Sequence, residues 1–287
     1  MVDRIGIGGE QYASQFLSPP LVVSLVANPV LPHPSRPHLF LESDFLVYAA
    51  GTLFCLEIKN YKGIISYANP EQTEIAQQKI GRYGEDIPAK FHQNPLRQAR
   101  GFLFHLKRYL EANVDPRFGG LYIVPAAAFV RNGDADIGEI WNPSAGILYV
   151  DELPAFIEAN ANRRFATRPS RWIIDGLQRV PRPDVIVTLA GDPLRGFLTH
   201  THLGLKIAEG QPAMIPFSEI VEVRLSRSGR FSDHDTVLVI LRNGKQESYT
   251  SIGGAIQFRT LQGMVTTRHL HNLVSIVPGH PIAVRAH

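Results

Sequence analysis

The sequence predicts a mixed α/β domain followed by a smaller β-rich one. Three observations predict it: an apolar run, Leu53 to Lys59, that ends in charges; a helix opening at Asn94-Pro95 with one apolar face; and a change of texture near Asp184, beyond which short alternating segments replace longer elements. The first two belong to a half that mixes helix and strand, and the third to a half that reads as strands alone.

Along the chain, a short helix is predicted over Gly9 to Leu17, stopped by Ser18-Pro19-Pro20 because proline cannot continue a helix interior. Ala27 to Pro37 carries four prolines and is predicted as a loop. Strands are predicted at His38 to Tyr48, Leu53 to Lys59 and Gly63 to Tyr67. The polar stretch Ala68 to Gln93 is predicted as an irregular excursion with a short helix near Glu71 to Lys79. Asn94 then caps a helix with Pro95 in its first turn, and Ala99, Phe102, Leu103, Leu106 and Leu110 recur at helical spacing on one face. Gly120 to Val130 is a continuous apolar run of strand length, which suits a central strand covered on both faces. A helix over Asp151 to Ala161 and an Arg- and Pro-rich segment from Arg163 to Pro183 follow. Beyond Asp184 the segments VIVTL, GFLTH, GLKIA, AMIPF, EIVEVRLS, TVLVILR and ESYTS are separated by turn residues, Asn243-Gly244 marks a hairpin, and a closing helix is predicted from Gly254 to about Arg268. The domains are therefore set at residues 1–165, a linker at 166–183, and 184–287.

Composition narrows the class. Hydrophobic residues make up 44% and charged residues 19%, the balance of a soluble globular chain, and no run of about 18 apolar residues offers a membrane span. The N-terminal stretch lacks the long apolar region of a signal peptide. A single cysteine, Cys55, excludes an intramolecular disulfide, so the cytoplasm is the expected compartment. The net charge is +3, but residues 166–287 hold 14 Lys and Arg against 9 acids while residues 1–165 hold 15 against 17. Twelve of those 14 are Arg, whose fork suits phosphate oxygens.

The chemistry concentrates at LFCLEIKNYKG, residues 53–63, where Glu57 and Lys59 stand at strand positions that a core strand fills with Val or Ile. If the preceding strand folds back in a hairpin centred on Ala50-Gly51, paired positions sum to 101 and Asp44 falls opposite Glu57. Directly opposed residues share a face with Cβ atoms about 4.5 to 5.5 Å apart, so the two carboxylates converge. Side chains alternate with period two, which places Lys59 on that face one step on. Two such carboxylates repel unless a proton or cation lies between them, and hard oxygen donors suit Mg²⁺ or Mn²⁺. The Ile58 carbonyl can add a ligand, and Lys59 stands ready to orient or help deprotonate water and to stabilise charge on a phosphate.

An Asp followed about a dozen residues later by Glu-x-Lys resembles the PD-(D/E)xK nuclease signature, with Ser43 where that superfamily often has proline. LFCLEIKNYKGII, GGEQYASQFL and NPLRQARGFLFHLKRYL together resemble the nuclease-related domain, NERD, with Glu10, Asp44, Glu57, Lys59 and Gln98 in the family's order. The resemblance implies a restriction-endonuclease-like core, a mixed sheet flanked by helices. It implies a metal or water contact for Glu10, support of the site by Gln98, and DNA as substrate. The plainer alternatives are a surface acid favoured by a helix dipole for Glu10 and a solvated helix position for Gln98. Lys62, just past the strand, is the best candidate for a phosphate contact, joined by Arg97 and Arg100 on the helix.

Other patterns carry less. His200 with His202 and His269 with His271 have H-x-H spacing, but no Cys or carboxylate cluster accompanies them. Gly6, Gly8 and Gly9 lack the strand before and the Lys-Ser/Thr after that a phosphate loop needs. LGLKIAEGQPAMIPFSEIVEVRLS resembles pleckstrin-homology-like or GRAM-like modules. Such a domain binds DNA through Arg224, Arg227, Arg230 and Arg242, contacts protein or lipid, or mediates assembly, including a homo-oligomer. The expected activity is a Mg²⁺- or Mn²⁺-dependent deoxyribonuclease. The rival reading is a catalytically silent nucleic-acid-binding or scaffold module that retains the fold.

Overall fold

The computed structural model describes residues 3–18, 22–49, 51–80, 86–131, 135–161, 171–191, 193–227 and 235–279. They fall into two compact units: one holds the residues up to Leu31 and from Leu41 to Val180, the other Pro32–Phe40 and the chain from Pro181 on.

The first unit is mixed α/β. In chain order it contains α1 (Asp3–Ser14), β1 (Ser24–Ala27), β2 (Val30–His33), β3 (Arg36–Glu42), β4 (Phe45–Ala49), β5 (Thr52–Lys59), β6 (Gly63–Tyr67), β7 (Glu74–Ile80), β8 (Asp86–Gln93), α2 (Pro95–Asn113), β9 (Ile123–Phe129), β10 (Ala135–Asp136), β11 (Ile147–Tyr149), α3 (Leu153–Ala159) and α4 (Arg171–Leu177), with parts of β2 and β3 assigned to the other unit. The main sheet runs β1-β4-β5-β9-β11, antiparallel from β1 to β5 and parallel from β5 to β11. A second sheet runs β10-β6-β7-β8.

β5 sits in the centre because it is apolar on both faces. Phe54, Leu56 and Ile58 pack with Ala13 of α1 and with Leu153, Phe156 and Ile157 of α3. Leu53 and Cys55 face the other way, under Ala99, Phe102, Leu106 and Leu110 of α2 and Ile173 and Leu177 of α4. α2 starts as expected: Asn94 Oδ1 accepts the Leu96 N–H at 2.9 Å, and Pro95 occupies the first turn, where no N–H is needed.

In this unit four expectations change. The proline-rich stretch 27–37 holds β2 and the start of β3, and the long strand expected at 38–48 breaks at Ser43-Asp44 into β3 and β4. Residues 74–80, expected as helix, form β7, where Ile75 and Gln77 are buried in alternation and pairing to β6 and β8 satisfies the backbone. Residues 171–177, placed in the linker, form α4, whose Ile173 and Leu177 join the α2 core.

The second unit is a curled, ten-stranded antiparallel sheet. Its strands are β12 (Asp184–Thr188), β13 (Pro193–Leu198), β14 (His202–Ile207), β15 (Ala213–Pro216), β16 (Ile220–Arg227), β17 (Asp235–Leu241), β18 (Gln246–Gly253), β19 (Ala255–Thr260), β20 (Val265–His269) and β21 (Leu273–Val277). Their order is β15-β14-β18-β17-β16-β21-β12-β13-β19-β20. The Asn243-Gly244 turn joins β17 to β18, with Gly244 at φ 84°. The closing helix expected over Gly254 to Arg268 is instead the β19–β20 hairpin. Ile256 and Phe258 are buried with period two, and Gly263 at φ 87° turns the chain between the strands.

Candidate active site at the end of strand β5

β4 and β5 pair as Phe45↔Leu56, Leu46↔Cys55, Val47↔Phe54, Tyr48↔Leu53 and Ala49↔Thr52, so paired positions sum to 101, the register derived from the sequence. Gly51 at φ 78° supplies the left-handed residue of the turn. The ladder ends at Phe45, one residue short of Asp44. There the Asp44 side chain takes over from the backbone: its Oδ2 accepts the Ile58 N–H at 2.6 Å. The corner is pinned from behind. Asn28 N–H donates to the Asp44 carbonyl at 2.8 Å, Ser43 N–H to Pro29 at 3.2 Å, and the Ser43 hydroxyl to the Leu56 carbonyl at 3.1 Å. Asn28 itself sits at φ 51°, which asparagine tolerates.

Glu57 is 1% exposed and Lys59 17%, and the Lys59 ammonium donates to Glu57 Oε2 at 2.9 Å. Glu57 Oε1 is buried and has no hydrogen-bond partner among the described residues. A carboxylate oxygen only accepts, and burying one unpaired is costly. Burial first, and then the Asp44 charge, push the Glu57 carboxyl up to about 8 against the pull of Lys59. Burial pulls the Lys59 ammonium down, but the charges of Glu57 and Asp44 outweigh it and hold the ammonium above its usual range. In an antiparallel pair a residue's N–H and C=O face the same partner. The Ile58 carbonyl therefore faces the edge on which Asp44 receives the Ile58 N–H.

Cys55 lies two residues before Glu57 on the same face, with Sγ 3.7 Å from the Ala99 carbonyl of α2. Burial pushes its thiol up, which leaves it unreactive. Gln98, in the first turn of α2, is half-buried. Among the described residues no hydrogen bond joins the Gln98 side chain to Asp44, Glu57 or Lys59. Glu10 sits on α1, which covers the opposite, Ile58-bearing face of β5. The approach of α1 depends on Gly9, since a Cβ there would lie 3.1 Å from Asn60 Cβ. Gly9 thus serves packing within a helix. Lys62, Arg97 and Arg100 are exposed.

Two neighbours of the site, His92 and Gln77, escaped the sequence reading. Tyr61 and His92 stack with ring centroids 4.5 Å apart, His92 Nε2 lies 3.0 Å from Gln77 Oε1, and Gln77 Nε2 donates to the Lys62 carbonyl at 2.8 Å. With the Gln77 amide nitrogen so engaged, its oxygen faces the imidazole, whose Nε2 carries the proton. Burial, and then the charges of Lys90, Lys59 and Lys79, push His92 down toward the neutral form. Burial raises the Tyr61 hydroxyl. The signal for this cluster was the period-two pattern of EIAQQKI and KFHQ, misread as an excursion.

In the second unit Arg224 pairs with Glu222 at 2.8 Å, Arg227 donates to the His271 carbonyl and Arg242 to that of Ser218, each at 2.8 Å. Arg230 lies outside the described residues. His269 and His271 stack on each other at 5.5 Å.

The first unit is thus a mixed α/β domain whose central strand ends in Glu57 and Lys59, with the Asp44 charge acting on both. Residues 5–130, a little under half of the chain, match the model of the nuclease-related domain, NERD. Glu10, Asp44, Glu57, Lys59 and Gln98 all lie inside it. A search of the curated proteins finds no match to the chain. No helix among the described residues is long and apolar enough to cross a membrane.

Proposed function

We propose that the chain is a metal-dependent nuclease that hydrolyses phosphodiester bonds in DNA at the end of β5, on a PD-(D/E)xK-type core. The observation that carries this reading is the buried, unpartnered Oε1 of Glu57 beside Asp44. A fold that only needed stability would fill this place with an apolar side chain, because a buried acceptor left unpaired costs about 1 to 3 kcal/mol.

The donor set suits a hard divalent cation. Asp44, Glu57 and the Ile58 carbonyl offer oxygen only, and the described residues contain no group of three His, Cys, Asp or Glu that would make a closed cage. Mg²⁺ or Mn²⁺ keeps several waters and so accepts a small protein donor set. When bound, the ion supplies charge neutralisation at the phosphate and a more acidic water. Glu10, on α1, is assigned a supporting contact to the cation or to one of its waters.

The protein's own groups do the rest. Asp44 and Glu57 would hold the cation, and the Ile58 N–H fixes Asp44 in place. Lys59, engaged through its ammonium, serves as a donor that orients the attacking water and stabilises charge growing on the phosphate oxygens. Water adds to phosphorus in line with the leaving oxygen, the P–O bond to that oxygen breaks, and the proton released by water ends on solvent or the leaving oxygen. Gln98 is assigned to orienting the substrate from α2, and Lys62, Arg97 and Arg100 to its phosphates. The β-rich second unit is proposed to bind a partner or another copy of the chain, since Arg224, Arg227 and Arg242 are spent on internal bonds.

The test is cleavage of supercoiled plasmid and of end-labelled single- and double-stranded DNA with Mg²⁺, Mn²⁺ or EDTA. Metal-dependent cutting that Asp44→Asn, Glu57→Gln and Lys59→Met each remove is the expected result. A wild-type chain that cuts nothing with any of the metals sinks the nuclease reading and leaves the silent, nucleic-acid-binding one.

A further inference from the structure

The outer face of α2 carries a pattern that packing does not use. Arg97, Arg100, Phe104, Lys107 and Arg108 recur at three- and four-residue intervals and so form one stripe on the side away from Phe102, Leu106 and Leu110. Its ends lie eleven residues apart, about 16 Å at 1.5 Å per residue, the length of a few nucleotides. Phe104 is 55% exposed in the middle of this stripe, and Tyr122, from the segment leading into β9, is 53% exposed beside it. Large aromatic rings left this open in a unit that buries Phe54, Phe118 and Phe129 completely call for an explanation.

Two cavities lie along the stripe. One, of about 660 Å³, lies at the start of α2 and includes Arg97 and Arg100 with Tyr67 and Trp141 in its wall. The other, of about 540 Å³, is lined by Arg100, Phe104, Lys107, Arg108 and Tyr122. Arg100 lines both. Among the described residues none of Arg97, Arg100, Lys107 and Arg108 makes a salt bridge, in contrast to Arg224 of the second unit. The Arg108 guanidinium lies 4.4 Å from the Phe104 ring centroid, which couples a cation to an aromatic face.

We infer that this stripe is a binding track for single-stranded nucleic acid, in which Phe104 and Tyr122 stack unpaired bases while Arg97, Arg100, Lys107 and Arg108 take the phosphates. The inference deepens the nuclease reading by naming the strandedness of what that site receives, and it rests on that reading only for its biological use. Charge favours any polyanion, but the rings discriminate. A duplex buries its base faces in its own stack, whereas a single strand presents them to an aromatic platform. Base stacking on such a platform contributes about 1 to 3 kcal/mol per base, or roughly 5- to 150-fold in affinity.

The experiment is fluorescence anisotropy of the full chain with a labelled mixed-sequence 20-nucleotide single strand and with its duplex, in EDTA so that nothing is cut. The single strand is expected to bind more tightly. Phe104→Ala combined with Tyr122→Ala is expected to weaken single-strand binding about 10-fold or more and duplex binding less than about 2-fold, with Phe104→Tyr restoring most of the loss. Lys107→Gln with Arg108→Gln is expected to flatten the dependence of log K on log salt by about 1.4 for the single strand. Both rings are exposed, and an unchanged melting curve confirms that the variants fold. The track is overturned if the duplex binds as well as the single strand, or if removing the rings leaves single-strand affinity unchanged. A chain that binds single strands through these rings yet cleaves nothing overturns the nuclease reading and leaves the track standing. Cleavage with ring-independent binding does the reverse.

Discussion

Asp184 in the second unit and Glu57 in the first are each 1% exposed, and they are satisfied in different ways. Asp184 Oδ2 accepts the Leu198 N–H at 2.6 Å and its Oδ1 the Gly279 N–H at 2.5 Å. Both oxygens are used, and they tie the start of β12 to β13 and to the chain beyond β21. Glu57 has one oxygen on Lys59 and the other on nothing described. A buried acid with a backbone N–H on each oxygen is a structural fastener, whereas one held beside a second acid with an open oxygen is kept for something that binds there.

The sharpest way to break that comparison is to neutralise each acid with its own amide. Glu57→Gln keeps an oxygen for Lys59 and turns its NH₂ toward Asp44. Near pH 4 its stability is therefore expected to stay within about 1 kcal/mol of wild type, while cleavage at neutral pH falls about 100-fold or more, roughly 3 kcal/mol of lost transition-state stabilisation. Plasmid nicking rates and urea unfolding read the two quantities separately. Asp184→Asn sets an NH₂ against a backbone N–H and leaves a buried donor unpaired. It is expected to cost about 3 kcal/mol, seen as a lower urea midpoint for the second unit. Equal stability losses in the two variants would erase the distinction.

The pH dependence sharpens the same contrast. A carboxyl raised in the folded state holds its proton longer than in the unfolded chain. From the usual 4.5 up to about 8 the unfolded state therefore ionises first, and stability drains away as pH rises through that window. Wild type and Glu57→Gln should melt together near pH 4 and diverge above it, with the amide variant the more stable by pH 8. Calorimetric melts across pH 4 to 8.5 measure this. A constant difference over the whole range would show that Glu57 does not titrate as described.

A smaller effect is expected from the metal. Ten times its dissociation constant of Mn²⁺ should stabilise the wild type by about 1.4 kcal/mol and leave Asp44→Asn and Glu57→Gln unmoved. Thermal melts with and without Mn²⁺ decide it. A rise shared by the variants would place the ion elsewhere.

How much of this was legible in the sequence depends on range. The β4–β5 hairpin was, because Ala50-Gly51 and the alternation on either side fix a short-range register, and with it the meeting of Asp44, Glu57 and Lys59. The α2 cap and face were legible for the same reason, through Asn94-Pro95 and the Leu spacing. The β7–β8 ribbon was not: EIAQQKI is polar enough to read as helix or loop, and only pairing to β6 and β8 makes it a strand. The His92–Gln77–Tyr61 cluster, assembled by that ribbon, was lost with it. β19–β20 failed similarly, since AIQFRT has both helical and strand spacing until the sheet selects period two. The Glu57 orphan oxygen is a property of three-dimensional burial, and no spacing could announce it.

The smallest effect expected concerns Ser43, where the sequence departs from the proline often found before the acid in such sites. Its hydroxyl donates to the Leu56 carbonyl at 3.1 Å and lies 3.2 Å from Cys55 Sγ, and its N–H donates to Pro29, which a proline could not do. Ser43→Ala removes one buried hydrogen bond and is expected to cost about 1 kcal/mol by urea unfolding. Asp44 keeps its own anchors, the Ile58 N–H on the side chain and the Asn28 N–H on the carbonyl, so cleavage should fall no more than about 3-fold. Ser43→Pro loses the N–H bond as well and should cost more in stability. If Ser43→Ala instead lowers cleavage as far as Glu57→Gln does, then Ser43 positions Asp44, and the corner at 43–44 is held less firmly by its backbone than its four hydrogen bonds imply.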